Sequence, residues 1–220
     1  MKKFILTLLL LTTCFSYSQS VFDLINAGRG LSRGSDQNKP DKSYKLEKRW
    51  FSNIEAEFGV NYEVSYDYSR YDNNGNLLGG GNAELDNKAS YGILYNINYP
   101  VFNKLTVGAV GGFQYQAEQS ISALKLGGIF RYHFVNYESV NLNLMTAYNV
   151  ALSNNIESEM ANIRFGLQFP IARTDDFNLN LNVFGDYNYY IYNEPILNEN
   201  NETPGDIIFR SYGISLGIQL

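Results

Sequence analysis

From Ser52 to Ser69 the chain alternates without a break. Even positions read Ile54, Ala56, Phe58, Val60, Tyr62, Val64, Tyr66 and Tyr68; odd positions read Asn53, Glu55, Glu57, Gly59, Asn61, Glu63, Ser65 and Asp67. A period of two places one set on each face of a β-strand. Strands in soluble sheets run about five or six residues, so this one is about three times the usual length. A strand this long with one uninterrupted apolar face predicts a wall that crosses a membrane.

The N-terminus carries an export address. Lys2 and Lys3 precede the apolar run Phe4–Leu11, and small Ser16 and Ser18 prepare a cleavage before Gln19. That pattern is a secretory signal, and the run is far short of the about 20 residues of a membrane helix. The only cysteine, Cys14, lies inside the signal. Lipidation at Cys14 is the alternative, although Thr13 departs from the usual lipobox. Cleavage after Ser18 leaves neither a disulfide framework nor a thiolate metal site. It also takes the 17 basic residues down to 15 against 22 acidic ones, a net charge of −7. An acidic chain with one histidine argues against nucleic-acid binding. The slightly negative mean hydropathy suits a membrane barrel, whose strands turn every second residue inward.

The alternation returns seven more times. The apolar sets are Ala89–Tyr99, Leu105–Tyr115, Leu124–Phe134, Val140–Leu152, Ala161–Phe169, Phe177–Ile191 and Ile208–Leu220, each read at every second position. Eight strands is the smallest closed membrane barrel. Short connections (Pro100–Lys104, Val135–Ser139, Pro170–Asp176) alternate with loops at Arg70–Asp86, Glu118–Ile121, Ser153–Ser158 and Asn193–Gly205. Proline at the head of two turns is expected to stop the ladder there. The predicted fold is an all-β, eight-stranded, antiparallel up-and-down transmembrane β-barrel, with short turns in the periplasm and loops outside.

A soluble lipocalin-type barrel shows the same alternation turned inside out. Lipid is favoured because the apolar face carries no charge in its central stretch. Its aromatics also gather at two levels, where a ring meets water at one end and lipid at the other. Tyr66, Tyr68, Phe113, Tyr115, Tyr148, Tyr187, Tyr189 and Tyr212 form the loop-side girdle. Tyr99, Phe130, Tyr132, Phe134, Phe169 and Phe177 form the turn-side one.

The span from Trp50 to Leu220 resembles the small eight-stranded outer-membrane proteins of the OmpA-barrel and OmpX type. The likeness is one of pattern, carried by the eight alternating segments and the terminal strand Ser211–Leu220, which departs from the family in ending on Leu. It implies an outer-membrane location in a Gram-negative bacterium, without the peptidoglycan-binding domain of full-length OmpA-type proteins. Abundant Tyr and Asn and the Ser-Gln signal ending are similar to Bacteroidetes outer-membrane proteins.

On the polar face, Glu55 and Glu57 of the first strand lie near the level of Arg131 and His133, and Glu63 near that of Arg164, while Lys125 lines the fourth strand. Eight strands leave an interior that side chains fill, and buried charges need partners. A salt-bridge plug is therefore expected, with a narrow ion or solute channel as the alternative and Glu55 or Glu57 as the partner of His133. A lipid-modifying enzyme is a further alternative, disfavoured because the one histidine sits at the turn-side end. Asp72-Asn73-Asn74-Gly75-Asn76 is first a turn signal and only half of a calcium loop. No catalytic set, metal or cofactor is expected.

Three segments follow: a signal at 1–18, a periplasmic leader at 19–49 and the barrel at 50–220. The leader turns polar and basic toward Arg49, while Phe22, Leu24 and Ile25 offer an apolar anchor for an envelope partner. The expected protein is a non-enzymatic envelope component, embedded in outer-membrane lipid and meeting partners through its leader or its loops.

Overall fold

The structure, a computed structural model, describes residues 48–135, 139–157, 161–174, 177–197 and 201–220. The signal, Cys14 and nearly all of the leader, with Phe22, Leu24 and Ile25, lie outside the described residues.

Nine strands are seen among them: β1 (Phe51–Tyr71), β2 (Leu77–Glu84), β3 (Ala89–Phe102), β4 (Leu105–Gln116), β5 (Ile121–His133), β6 (Asn141–Ala151), β7 (Ala161–Arg173), β8 (Asn178–Ile191) and β9 (Glu202–Gln219). All pairings are antiparallel. The ring β1-β3-β4-β5-β6-β7-β8-β9 closes by pairing β9 back onto β1, from Asn53↔Gln219 to Arg70↔Glu202. Closure removes the free edges that an open sheet would present. The eight expected strands make this ring. The ninth, β2, occupies the predicted Arg70–Asp86 loop and pairs with the outer half of β1, from Ser65↔Glu84 to Tyr71↔Leu77. Its weak apolar pattern, Leu-Leu followed by three glycines, hid it.

The two turn-side prolines do not end their strands. β3 continues through Pro100 and β7 through Pro170, each with a register shift just after the proline. A bulge accommodates the missing N–H without ending the pairing.

Below Tyr62 the pleat runs as the alternation predicts. Asn53, Glu55, Glu57 and Asn61 are buried, while Ile54, Phe58, Val60 and Tyr62 stand outward. A bulge then intervenes: Asn61 pairs with Ser211 and Glu63 with Arg210, so Tyr62 has no counterpart on β9. One extra residue moves every later side chain to the other face. Above it Val64 and Tyr66 are fully buried and Glu63 points outward. The sequence keeps its period, yet its apolar set goes from outside to inside. Tyr66 and Tyr68 therefore leave the outer girdle. Tyr66 enters the core and Tyr68 packs against it.

The barrel thus has two chemical regimes. In the lower one the outward belt is apolar and the interior is polar apart from one buried apolar patch of Leu94, Val110, Ile129 and Met145. Ile93, Ile97, Leu126, Phe130, Leu144, Ile163, Phe165, Val183, Ile214, Leu216 and Ile218 all stand in the exposed belt. In the upper regime the interior is apolar: Val64, Tyr66, Ile121, Ala123, Ile156, Tyr190, Tyr192, Ile207 and Phe209 form one buried cluster.

Candidate functional site

Arg164, on β7, reaches across the lumen to the opposite wall. Its Nη1 donates to Glu57 Oε1, and its Nη2 lies 3.1 Å from Glu57 Oε2 and 3.0 Å from Asp186 Oδ2. The guanidinium carbon lies 3.9 Å from the centroid of the Phe184 ring, a stacking that suits a planar cation. Lys125 Nζ is 3.4 Å from the same Asp186 oxygen. Asn162 also donates to Asp186, as do Asn188 at 3.1 Å and Gln114 at 3.3 Å. Two glycines make room for the cluster. A Cβ on Gly92 would stand 2.7 Å from Glu57 Oε2, and one on Gly213 would collide with the Phe184 ring.

A second cluster lies toward the turns. Arg131 donates to Asn98, to Asn96 at 3.1 Å, to Gln168 at 3.3 Å and to Glu55 at 3.5 Å. Glu55 also accepts from Asn53 at 2.7 Å and Ser215 at 2.9 Å. Three buried acids (Glu55, Glu57, Asp186) thus face three buried bases (Lys125, Arg131, Arg164). Amide side chains satisfy further lone pairs on Glu55 and Asp186, whereas Arg164 Nε is buried without a hydrogen-bond partner.

Above these clusters the apolar core caps the lumen, and the loops over it are tied together. Asn155 donates to Gln119 O at 2.9 Å and Tyr192 Oη at 3.1 Å, while Ile156 bridges to Tyr192. Glu202 Oε1 accepts from Tyr66 Oη at 2.8 Å and from the Ile196 and Leu197 amides at 2.9 and 3.3 Å. At the turn-side end, a cavity of about 10 Å³ between Asn141, Gln168, Asn178 and Asn180 has room for one water.

Of the residues expected in the lumen, Glu55, Glu57, Lys125, Arg131 and Arg164 are found in the two clusters. Two expectations need correction. Glu63 does not approach Arg164, because the bulge at Tyr62 turns it outward to pair with Arg210, both side chains being about a third exposed. His133 meets neither Glu55 nor Glu57. Its Nε2 lies 2.9 Å from Thr106 Oγ1, and Arg131 takes the carboxylate. Asp186, the acid that joins Lys125 to Arg164, was missed. A single acid among the asparagines on the even face of β8 was the signal that marked it.

The remaining girdle aromatics, Tyr99, Phe113, Tyr115, Phe130, Tyr132, Phe134, Tyr148, Phe169, Phe177, Tyr187, Tyr189 and Tyr212, stay at least partly exposed. Tyr62 joins them, stacked on Tyr212 with ring centroids 4.5 Å apart. At the β1–β2 hairpin tip, Asp72 accepts from the Asn74 and Asn76 amides at 2.8 and 2.7 Å and from Asn76 Nδ2 at 2.9 Å. Its oxygens serve the turn. Among the described residues no group of three or more His, Cys, Asp or Glu is placed to hold a metal ion.

No family model matches the chain and no curated protein matches it. Solved structures with a related architecture include the outer-membrane protein AlkL, determined by solid-state NMR in DMPC bilayers. It is 15% identical over 84% of this chain and 95% of that one, with a TM-score of 0.45. OprG from Pseudomonas aeruginosa is 14% identical over 79% of this chain and 97% of that one, with a TM-score of 0.42. A set of de novo designed transmembrane β-barrels gives 13% identity over 74% of this chain and 94% of that one, with a TM-score of 0.34.

Proposed function

We propose that this protein is a non-enzymatic integral barrel of a Gram-negative outer membrane, with a sealed lumen and a folded outer platform as its interaction surface. The observation that carries the reading is the inversion at Tyr62: an uncharged apolar belt outside a charged interior, changing to polar outside apolar one residue later. Such a belt is what lipid demands of a β-barrel wall. From the Trp50–Tyr99 ring pair to the Tyr62–Tyr212 pair, twelve residues of β1 span about 40 Å of strand. At a tilt of about 40° this is about 30 Å of height, which suits an apolar band of about 25 Å flanked by aromatic girdles.

The sealed lumen supports an envelope component over a channel. The balanced charges, their amide partners and the apolar cap fill the space a solute would cross. β1, β2 and the start of β9 rise beyond the belt, on the order of 30 Å of strand past Tyr62, and offer the surface for an envelope partner. Reconstitution of the mature chain into planar bilayers tests the reading. Insertion without steady conductance is expected; a stable open level would replace it with the channel. Failure to enter phospholipid vesicles would remove the membrane assignment itself.

A further inference from the structure

Among the described residues the two rims of the barrel differ in charge. On the loop side the exposed acids are Asp67, Glu84, Asp86, Glu157 and Glu194, with Arg70 and Lys88 as exposed bases. On the turn side, Lys48, Arg49 and Lys104 are all exposed, and among the described residues none of them has an acidic partner. The acids nearest this rim in the sequence, Glu47, Glu138, Asp175 and Asp176, lie outside the described residues.

Lys48 and Lys104 are held at the β3–β4 turn, and Arg49 lies between Lys48 and Trp50 in the chain. Lys48 Nζ donates to Val101 O and lies 5.9 Å from the centroid of the Phe102 ring. Lys104 closes the tight β3–β4 turn two residues on, and its carbonyl accepts from the His133 amide at 2.8 Å, which fixes the turn. Trp50 is 67% exposed and Phe102 63% exposed, and Trp50 packs on Tyr99 with centroids 5.0 Å apart. Exposed Trp and Phe beside Lys and Arg are the composition of a bilayer interface: the rings sit at headgroup depth and the cations reach past them to the phosphates.

We propose that Lys48, Arg49 and Lys104, set around Trp50 and Phe102, bind the phosphate of an anionic glycerophospholipid in the leaflet on the turn side. The proposal rests on the membrane reading above. Charge complementarity and the flanking rings select a lipid surface rather than a soluble acid. Each cation near an anionic surface strengthens attraction by about fivefold at low salt, and the gain falls within a Debye length as salt rises.

The test uses the mature chain in vesicles of phosphatidylcholine alone and of phosphatidylcholine with phosphatidylglycerol. Insertion is read from the shift in gel mobility between unheated and boiled samples. Lipid retained after mild detergent release is read by native mass spectrometry. Wild type and the K48Q/R49Q/K104Q variant are expected to insert equally into the neutral vesicles. Wild type should retain phosphatidylglycerol several-fold over phosphatidylcholine, less so at high salt. The triple variant should lose that preference, and Lys88→Gln on the opposite rim should keep it. If the triple variant does not insert, Lys104→Gln alone carries the comparison with a partial loss. Equal retention of both lipids by inserted wild type, or unchanged preference in the inserted variant, overturns the proposal. Wild type that enters neither vesicle overturns the membrane reading instead.

Discussion

Glu63 and Arg210 join hands across the β1–β9 seam on the outside of the barrel, one residue past the bulge that turns β1 inside out. The pair marks the level at which the wall stops being apolar. Directly below it, Tyr62 and Tyr212 stack; directly above it, Val64 and Phe209 are buried in the cap.

The bulge gives a reversed pattern of accessibility. In the signal-free chain carrying single substitutions, Glu63→Cys and Ser65→Cys are expected to react with a water-soluble thiol reagent, whereas Val64→Cys and Tyr66→Cys stay protected. Reaction at 64 and 66 with protection at 63 and 65 would mean that the alternation continues unbroken.

Burial separates the ion pairs by weight. Arg210 and Glu63 are about a third exposed, and such pairs are worth at most about 1 kcal/mol, so Arg210→Ala should shift denaturant unfolding only slightly. Arg164 is 2% exposed and serves two carboxylates. Arg164→Leu leaves Glu57 and Asp186 short of their partner and should cost about 3–5 kcal/mol. Replacing the whole set together (Glu57→Leu, Asp186→Leu, Arg164→Leu, Lys125→Leu) should recover much of that loss, as apolar substitutes for buried pairs do. Unfolding of the refolded variants in lipid measures all three.

How much of this was legible before folding is clearest at Tyr62 and Asp186. Eight strands, the outward belt and the lumen face of Glu55, Glu57, Arg131 and Arg164 follow from a period of two, because side-chain direction is fixed by position within a strand. A bulge leaves no mark on that period, so the exchange of faces at Tyr62 could not be read. Pairing across the lumen was legible only to depth. His133 and Arg131 stand on the same face of β5 two residues apart, and which of them reaches Glu55 depends on side-chain length and on Thr106. β2 escaped because Gly79-Gly80-Gly81 carries no pattern, while pairing with β1 is a backbone matter.

The apolar cap is expected to seal the loop-side end. Phe209→Ala removes a ring that packs edge-on against Tyr190, centroids 5.7 Å apart, and should cost about 3–5 kcal/mol. Hydrogen exchange should speed up in the outer halves of β1 and β9 and change little in the lower barrel. Equal acceleration throughout would show that the cap and the lower barrel open together.

Hydrogen bonds to Asp72 from the Asn76 side chain first, and then from backbone amides, hold its carboxyl below the usual carboxylate range. A lowered folded-state value means the turn gains from the ionised form above the unfolded value of about 3.9, and that gain is lost as pH falls through the folded value. NMR of the labelled protein should show the Asn74 and Asn76 amides constant near neutrality and shifting only in strong acid. Calcium at millimolar concentration should leave both amides in place, since these oxygens are already taken by the turn.

The three-against-three balance of the lumen also constrains how the barrel is made. Glu57 and Arg164 stand 107 residues apart in the chain, Glu55 and Arg131 76 apart. Both acids sit on β1, the first strand in the sequence, and their basic partners come on β5 and β7. Until β9 docks on β1 and closes the ring, Glu55 lacks Ser215 and the two acids have no curved wall to bring the bases within reach. Neutralisation of the interior is thus tied to closure of the β1–β9 seam, and an open-seamed chain carries bare carboxylates along β1. Such a strand needs shelter from apolar surroundings until the seam shuts.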